Sequence, residues 1–138
     1  MMPAEIQIPR KLANQLLHLA QLSPKLEICG LVSSKNGLAQ HCYPINNVAD
    51  YPQHQFLLDA SQQIAAMSQM RELDQELFAI YHSHPTAPAF PSNEDLEQSA
   101  YPAALYLIMS LNTKGILEMR GFKITQDSTQ EIPLTLIN

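Results

Sequence analysis

Basic residues are scarce in this chain: eight Lys and Arg stand against thirteen Asp and Glu, for a formal net charge of −5. The eight are scattered (Arg10, Lys11, Lys25, Lys35, Arg71, Lys114, Arg120, Lys123), so no basic stripe forms and nucleic-acid binding is excluded as an expectation. Long apolar runs are also missing. The longest, around Ala103 to Met109, falls far short of the roughly 20 residues a membrane-spanning helix needs. The segment Met1 to Lys11 carries no apolar signal core, which predicts a protein that stays in the cytoplasm. Two cysteines, Cys29 and Cys42, make no disulfide framework and are expected as a pair of buried reduced thiols. Repeats, low-complexity tracts and linkers are absent, so the 138 residues read as a single domain, 1–138.

What is present is enough apolar material for a packed core: 46% of residues are hydrophobic and only 15% charged. Lys11 to Leu22 reads as an amphipathic helix, with Leu12, Leu16 and Leu19 on one stripe and Pro9 in its first turn. Glu27 to Ser33 and Leu38 to Ile45 read as strands joined by a turn at Asn36-Gly37. Gln55 to Leu58 reads as a short strand. Asp59 or Ser61 caps a helix running to about Leu73, with Ile64, Met67 and Met70 as a core stripe. Leu77 to His84 is a strand, and Ser92 to about Ala100 a short helix. Leu105 to Leu111, Ile116 to Thr125 and Ile132 to Ile137 complete the strands, the first two joined by a turn at Asn112 to Gly115. Helices interrupting hairpin-linked strands predict an α+β (mixed α/β) fold, with a mainly antiparallel sheet flanked by helices. An exposed strand at Ile132 to Ile137 would offer an edge to a second chain, as a homodimer, or to a substrate tail.

The chemistry concentrates in Tyr81-His82-Ser83-His84-Pro85 and Pro91-Ser92-Asn93-Glu94-Asp95. Side chains two apart on a strand share a face, so His82 and His84 can present two nitrogens to one ion while Ser83 points away. Pro85 cannot continue a ladder and leaves the imidazoles at an element's edge. Two histidines and a carboxylate with one open position are a catalytic zinc set. Asp95 is the best third ligand. Glu94 and Glu97 compete with it, but helical neighbours point about 100° apart, so Glu94 and Asp95 cannot both face the ion. Ser92 and Asp95 also fit an N-terminal capping box, and the two readings are compatible.

Glu27 opens an otherwise apolar strand. It is either an exposed strand-start residue or a general base for water activated by the metal. Gly30 within that strand predicts close approach by a neighbour. His18, His41 and His54 read as surface residues.

Together these residues resemble a known family. His82-Ser83-His84-Pro85 followed by Ala89-Phe90-Pro91-Ser92-Asn93-Glu94-Asp95 is similar to the JAMM motif of the MPN (Mov34/PAD-1) zinc metallopeptidases, HxHPxxxxxPSxxD, and Glu27-Ile28-Cys29-Gly30-Leu31 is similar to the upstream segment that carries the family's glutamate. The resemblance implies an MPN-like domain with a curved sheet, one Zn2+ per chain held by His82, His84 and Asp95, Glu27 as general acid/base, and Ser92 stabilising a tetrahedral oxyanion. It implies hydrolysis of a peptide or isopeptide bond. Within the family the chain looks most like bacterial sulfur-carrier peptidases, which remove cysteine from the C-terminal glycine of a ubiquitin-like carrier protein. It lacks the insertions and the second Cys/His zinc cluster of the eukaryotic deubiquitinating relatives. A non-catalytic MPN-type binding scaffold is the alternative, though such scaffolds usually lack the ligands that this chain keeps.

Overall fold

A computed structural model describes residues 5–97, 101, 103–112, 118–125 and 128–138. The chain runs β1 (Ile6–Pro9), α1 (Arg10–Gln21), β2 (Cys29–Lys35), β3 (Leu38–Ile45), α2 (Ala60–Glu72), β4 (Glu76–His84), α3 (Asn93–Glu97), β5 (Leu105–Ser110), β6 (Glu118–Ile124), β7 (Thr129–Ile132) and β8 (Leu134–Ile137). Six strands form one sheet in the order β3-β2-β4-β5-β6-β7. All neighbours are antiparallel except β4 and β5, which run parallel and are joined through α3. The mixed α+β class with a mostly antiparallel sheet is thus the observed one. None of the described helices is long and apolar enough to cross a membrane.

The alternation of the central strands divides the core in two. Ala79 and Tyr81 of β4 and Leu105, Leu107 and Met109 of β5 face α1, where Leu12, Ala13, Leu16 and Ala20 pack with Ile6 and Ile8. Ile80, Tyr106 and Ile108 face the opposite way, with Ala66 and Met70 of α2. Strand β4 is therefore hydrogen-bonded on both edges and packed on both faces, so the position of its C-terminal end is over-determined.

Several local expectations hold for visible reasons. Asn36 and Gly37 both adopt positive φ (54° and 80°), the requirement of the tight turn between β2 and β3. Asp59 caps α2, accepting from Gln62 N–H at 3.0 Å. A Cβ at Gly30 would collide with the Tyr81 hydroxyl and the Tyr43 carbonyl oxygen, so the close approach is made by a tyrosine of the same sheet. His18, His41 and His54 are exposed.

Other expectations need correction. Ile132 to Ile137 is not one strand. Pro133 has no N–H to continue a ladder, so β7 stays on β6 while β8 crosses to pair in parallel with β1, and the Pro133 carbonyl accepts the Ile6 N–H at 2.7 Å. Strand β1 has no signature in the sequence pattern: it is four residues long and its partner lies at the far end of the chain. Gln55 to Leu58 reduces to a single bridge between Asn47 and Leu58. Ile64 is 69% exposed, since Ala66 and Met70 carry the buried face of α2. The thiols differ in environment: Cys29 is buried and donates to the Ile45 carbonyl, whereas Cys42 is half-buried beside the Tyr81 hydroxyl. The strand expected from Glu27 enters its ladder at Cys29, which leaves Glu27 and Ile28 just outside it. The turn expected at Asn112 to Gly115 lies mostly outside the described residues, as does the helix beyond Glu97.

Candidate metal centre

His82 and His84 occupy the end of β4, on the face that also carries Ile80. Both are buried, as are Glu27 and Asp95. Beyond Pro85 the chain loops back: the Ser110 hydroxyl donates to the Ala87 carbonyl at 2.7 Å, and the Pro88 carbonyl lies 2.7 Å from His84 Nδ1. A carbonyl can only accept, so Nδ1 carries the proton and Nε2 faces the site. Ser92 then opens α3. Its backbone N–H donates to Asp95 Oδ2 at 2.8 Å, and its hydroxyl oxygen accepts from the Asp95 N–H at 3.1 Å. This reciprocal box fixes the Asp95 carboxylate, and of the three acidic residues here it is Asp95 that reaches the histidines. Glu94 lines the neighbouring cleft and Glu97 is exposed. Capping and presentation of the carboxylate are the same geometry.

The result is a tight triangle. His82 Nε2 and His84 Nε2 lie 3.1 Å apart, and Asp95 Oδ2 lies 2.9 Å from the first and 3.1 Å from the second. Metal–ligand bonds of about 2.0–2.1 Å in a tetrahedron give edges of about 3.3–3.4 Å, close to these separations. Adding a Glu27 carboxylate oxygen widens the set to 4.8 Å, so Glu27 stands off from the triangle rather than within it. Among the described residues, Glu27 Oε1 and His82 Nδ1 are the buried side-chain polar atoms without a hydrogen-bond partner. A buried carboxylate oxygen with no donor is costly unless a ligand satisfies it. The donor set, its spacing and the orphaned oxygen all fit a divalent cation.

Electrostatics agree. Burial pushes the Glu27 carboxyl up to about 8, with Asp95 and Glu94 adding repulsion and His84 opposing. Burial favours a neutral Asp95, but hydrogen bonds from both imidazoles and the Ser92 N–H outweigh it and hold its carboxyl far below the usual range. Burial likewise opposes a proton on His84, yet Asp95, the Pro88 carbonyl and Glu27 together raise its pKa. His82 is lowered, chiefly by burial. Without a metal, a proton on His84 relieves the clash of lone pairs in the triangle, and a cation competes directly for that place.

Several contributors gave no sequence signal. Phe56, from the 46–58 segment, stacks on the His82 ring with centroids 4.3 Å apart and planes 19° from parallel. It orients an imidazole that has no hydrogen bond at Nδ1. Asn47 ties the same segment together, donating to the carbonyls of Glu27 (3.0 Å) and Gln55 (2.9 Å) and accepting from the Ala49 and Leu57 N–H groups (both 3.0 Å). An open cleft of about 190 Å³, bordered by Glu27, His54, His84, Thr86, Ser92 and Glu94, leads to the triangle. It is smaller than the roughly 300–1,000 Å³ of typical small-molecule sites, and suits a narrow segment of chain.

The family model described as prokaryotic homologs of the JAB domain matches residues 9–122, a span that includes Glu27, the triangle and Ser92. The chain belongs to this family. The CysO-cysteine peptidase of Mycobacterium tuberculosis is 26% identical over 128 residues, covering 91% of this chain and 87% of that protein. A probable TtuB-protein conjugate cleaving protease of Thermus thermophilus is 31% identical over 133 residues, covering 96% and 83%. A solution structure of a Desulfitobacterium hafniense protein superposes with a TM-score of 0.84 at 30% identity, covering 96% and 92%. With relatives that are peptidases and a buried Glu/His/His/Asp group able to hold a metal, the chain is a hydrolase of peptide or isopeptide bonds.

Proposed function

We propose that this protein is a zinc-dependent peptidase that hydrolyses the amide bond following the C-terminal glycine tail of a ubiquitin-like sulfur-carrier protein, with cysteine as one leaving group. The observation that carries the reading is the triangle of His82 Nε2, His84 Nε2 and Asp95 Oδ2 with the unpartnered Glu27 carboxylate beside it. The choice of substrate draws on the relatives, a CysO-cysteine peptidase and a conjugate-cleaving protease, and on a cleft too narrow for a folded domain but open to an extended tail.

His82, His84 and Asp95 would hold one zinc per chain, and nitrogen with carboxylate oxygen is a donor set zinc favours. Bound zinc supplies Lewis acidity, which makes water nucleophilic near neutral pH and draws charge from a carbonyl. Glu27 accepts the proton of the attacking water on its carboxylate. As the C–N bond breaks, it returns that proton to the departing amine nitrogen, so carboxyl and amine products form with water consumed. Without a cation, burial together with repulsion from Asp95 and Glu94 raises its pKa to about 8 against the opposing His84. A nearby cation acts in the opposite direction, which keeps the group competent as a base at neutral pH. The Ser92 oxygen accepts from Asp95 N–H, leaving its hydroxyl hydrogen to donate to the developing oxyanion. Phe56 covers one face of the His82 ring. The chain, residues 1–138, acts as one domain, a reading supported by a site that combines the end of β4, the first turn of α3 and the segment before β2.

A non-catalytic scaffold is disfavoured because it has no use for a buried, unpaired Glu27 carboxylate beside two imidazoles. The reading is tested by mass spectrometry of carrier proteins extended past their terminal glycines, incubated with purified protein of measured zinc content. One defined extension is removed by the wild-type protein, and Glu27→Gln retains zinc but does not cleave. A wild-type protein without zinc, or a Glu27→Gln variant as active as wild type, refutes it.

A further inference from the structure

The middle residue of the His82-Ser83-His84 triplet has no part in the chemistry so far. Its side chain leaves the opposite face of β4 from the two imidazoles, and it is completely buried. There its hydroxyl oxygen accepts the Ile28 N–H at 2.9 Å, while its own N–H donates to the Ile28 carbonyl at 3.1 Å. Ile28 follows Glu27 directly, and both lie before the point where β2 enters its ladder. Glu27 itself is tied by its N–H to the Pro52 carbonyl at 2.8 Å and by its carbonyl to Asn47 Nδ2 at 3.0 Å. Both of those anchors belong to the 46–58 segment. Ser83 therefore supplies the side-chain link that joins the Glu27 segment to the strand presenting the imidazoles.

We propose that Ser83 is a positioning residue for Glu27: its hydroxyl sets where the Glu27 carboxylate stands relative to His82 and His84. The inference rests on the functional reading above, in which Glu27 is the proton carrier. The physical reason is leverage. One strand aims ligands from one face and anchors the base from the other, so the separation of metal and base is set by one rigid element. Loss of the hydroxyl leaves the Ile28 N–H without its acceptor and lets the Glu27 backbone shift. A misplacement of about 1 Å in such a group can cost about 10²-fold in rate. The ligand triangle, built from β4 and α3, does not depend on this bond.

Two variants test it. Ser83→Ala removes the acceptor, and Ser83→Thr keeps it. In zinc-loaded protein, Ser83→Ala is expected to lower kcat at least tenfold with KM within twofold of wild type and one zinc per chain retained. Ser83→Thr is expected to recover to within threefold. Amide hydrogen exchange at Ile28 should accelerate in the alanine variant and stay slow in the threonine variant. If the added methyl of threonine disrupts folding, Asn47→Asp serves as a second probe: it removes the donor to the Glu27 and Gln55 carbonyls but keeps the acceptor for Ala49 and Leu57, and should reproduce the kcat loss with zinc retained. Equal kcat in Ser83→Ala and wild type overturns the proposal. So does loss of zinc in Ser83→Ala, which would place the role of Ser83 in the ligands. If wild-type protein cleaves no carrier conjugate, the functional reading fails separately, and unchanged Ile28 exchange in Ser83→Ala still overturns the anchoring claim.

Discussion

The two halves of the site are built differently. His82 and His84 sit at the end of a strand with hydrogen-bonded neighbours on both sides, His82 opposite Cys29 and Ile108, His84 opposite Ser110. Glu27 sits outside the ladder, held by a proline carbonyl, an asparagine side chain and, through Ile28, a serine. The ligand half is over-determined by the core of the sheet. The base half hangs on a few polar contacts. On the roles proposed above, the ligands are fixed while the base is tuned by what surrounds it, which predicts that the two halves fail in different ways.

The sharpest break is in the ligand half. His84→Ala should abolish zinc binding and reduce cleavage to background, with at least ~10³-fold loss in kcat/KM, checked by metal analysis alongside turnover. In the base half, Glu27→Gln should lower kcat by about 10²–10⁴-fold while zinc stoichiometry stays at one. Were both variants to lose zinc, the division between ligand and base would collapse. Phe56→Ala lies between the halves. It uncovers His82, and outer-sphere changes of this kind weaken zinc by about 10–100-fold, measurable by competition with a chelator; unchanged affinity would show the stack to be incidental.

The smallest effect is one of pH. In metal-free protein His84 has its pKa raised above 6.5 and Glu27 above 4.5, to about 8. Both therefore hold protons in the folded state that the unfolded chain has released. The His84–Asp95 pair is at full strength below the ordinary histidine value and is lost as pH rises through the raised one, and ionising Glu27 adds an unfavourable buried charge over the interval up to about 8. Metal-free stability should fall as pH rises from about 6.5 toward 8. Zinc needs those protons gone, so its stabilisation grows over the same interval. The gap in Tm between zinc-loaded and metal-free protein should widen with pH, and Glu27→Gln should lessen the metal-free slope.

Much of this was legible from short-range patterns. The alternation of β4, the proline after His84, the turn at Asn36-Gly37 and the cap at Asp59 are each local rules with local consequences. Ser92 and Asp95 fit both a helix cap and a site; the structure shows the cap, and the same geometry brings Asp95 Oδ2 to both imidazoles. The failures were of reach. Strand β8 pairs with β1 across almost the full length of the chain, and Phe56 meets His82 only because the 46–58 segment folds over the strand end. No periodicity in a window of a dozen residues encodes such a meeting.

The residue types and their spacing were enough to choose the chemistry, because two imidazoles on one face of a strand and a carboxylate in a helix's first turn are geometries that neighbours along the chain impose on each other. Distance along the chain says nothing about where Glu27 stands. Whether it was an exposed strand-start residue or a buried one was decided when β2 paired beside β4 and the 46–58 segment closed over it, leaving the carboxylate Oε1 buried without a hydrogen-bond partner. That burial both raises its pKa and aims it at the triangle, and burial is a property only the folded chain possesses.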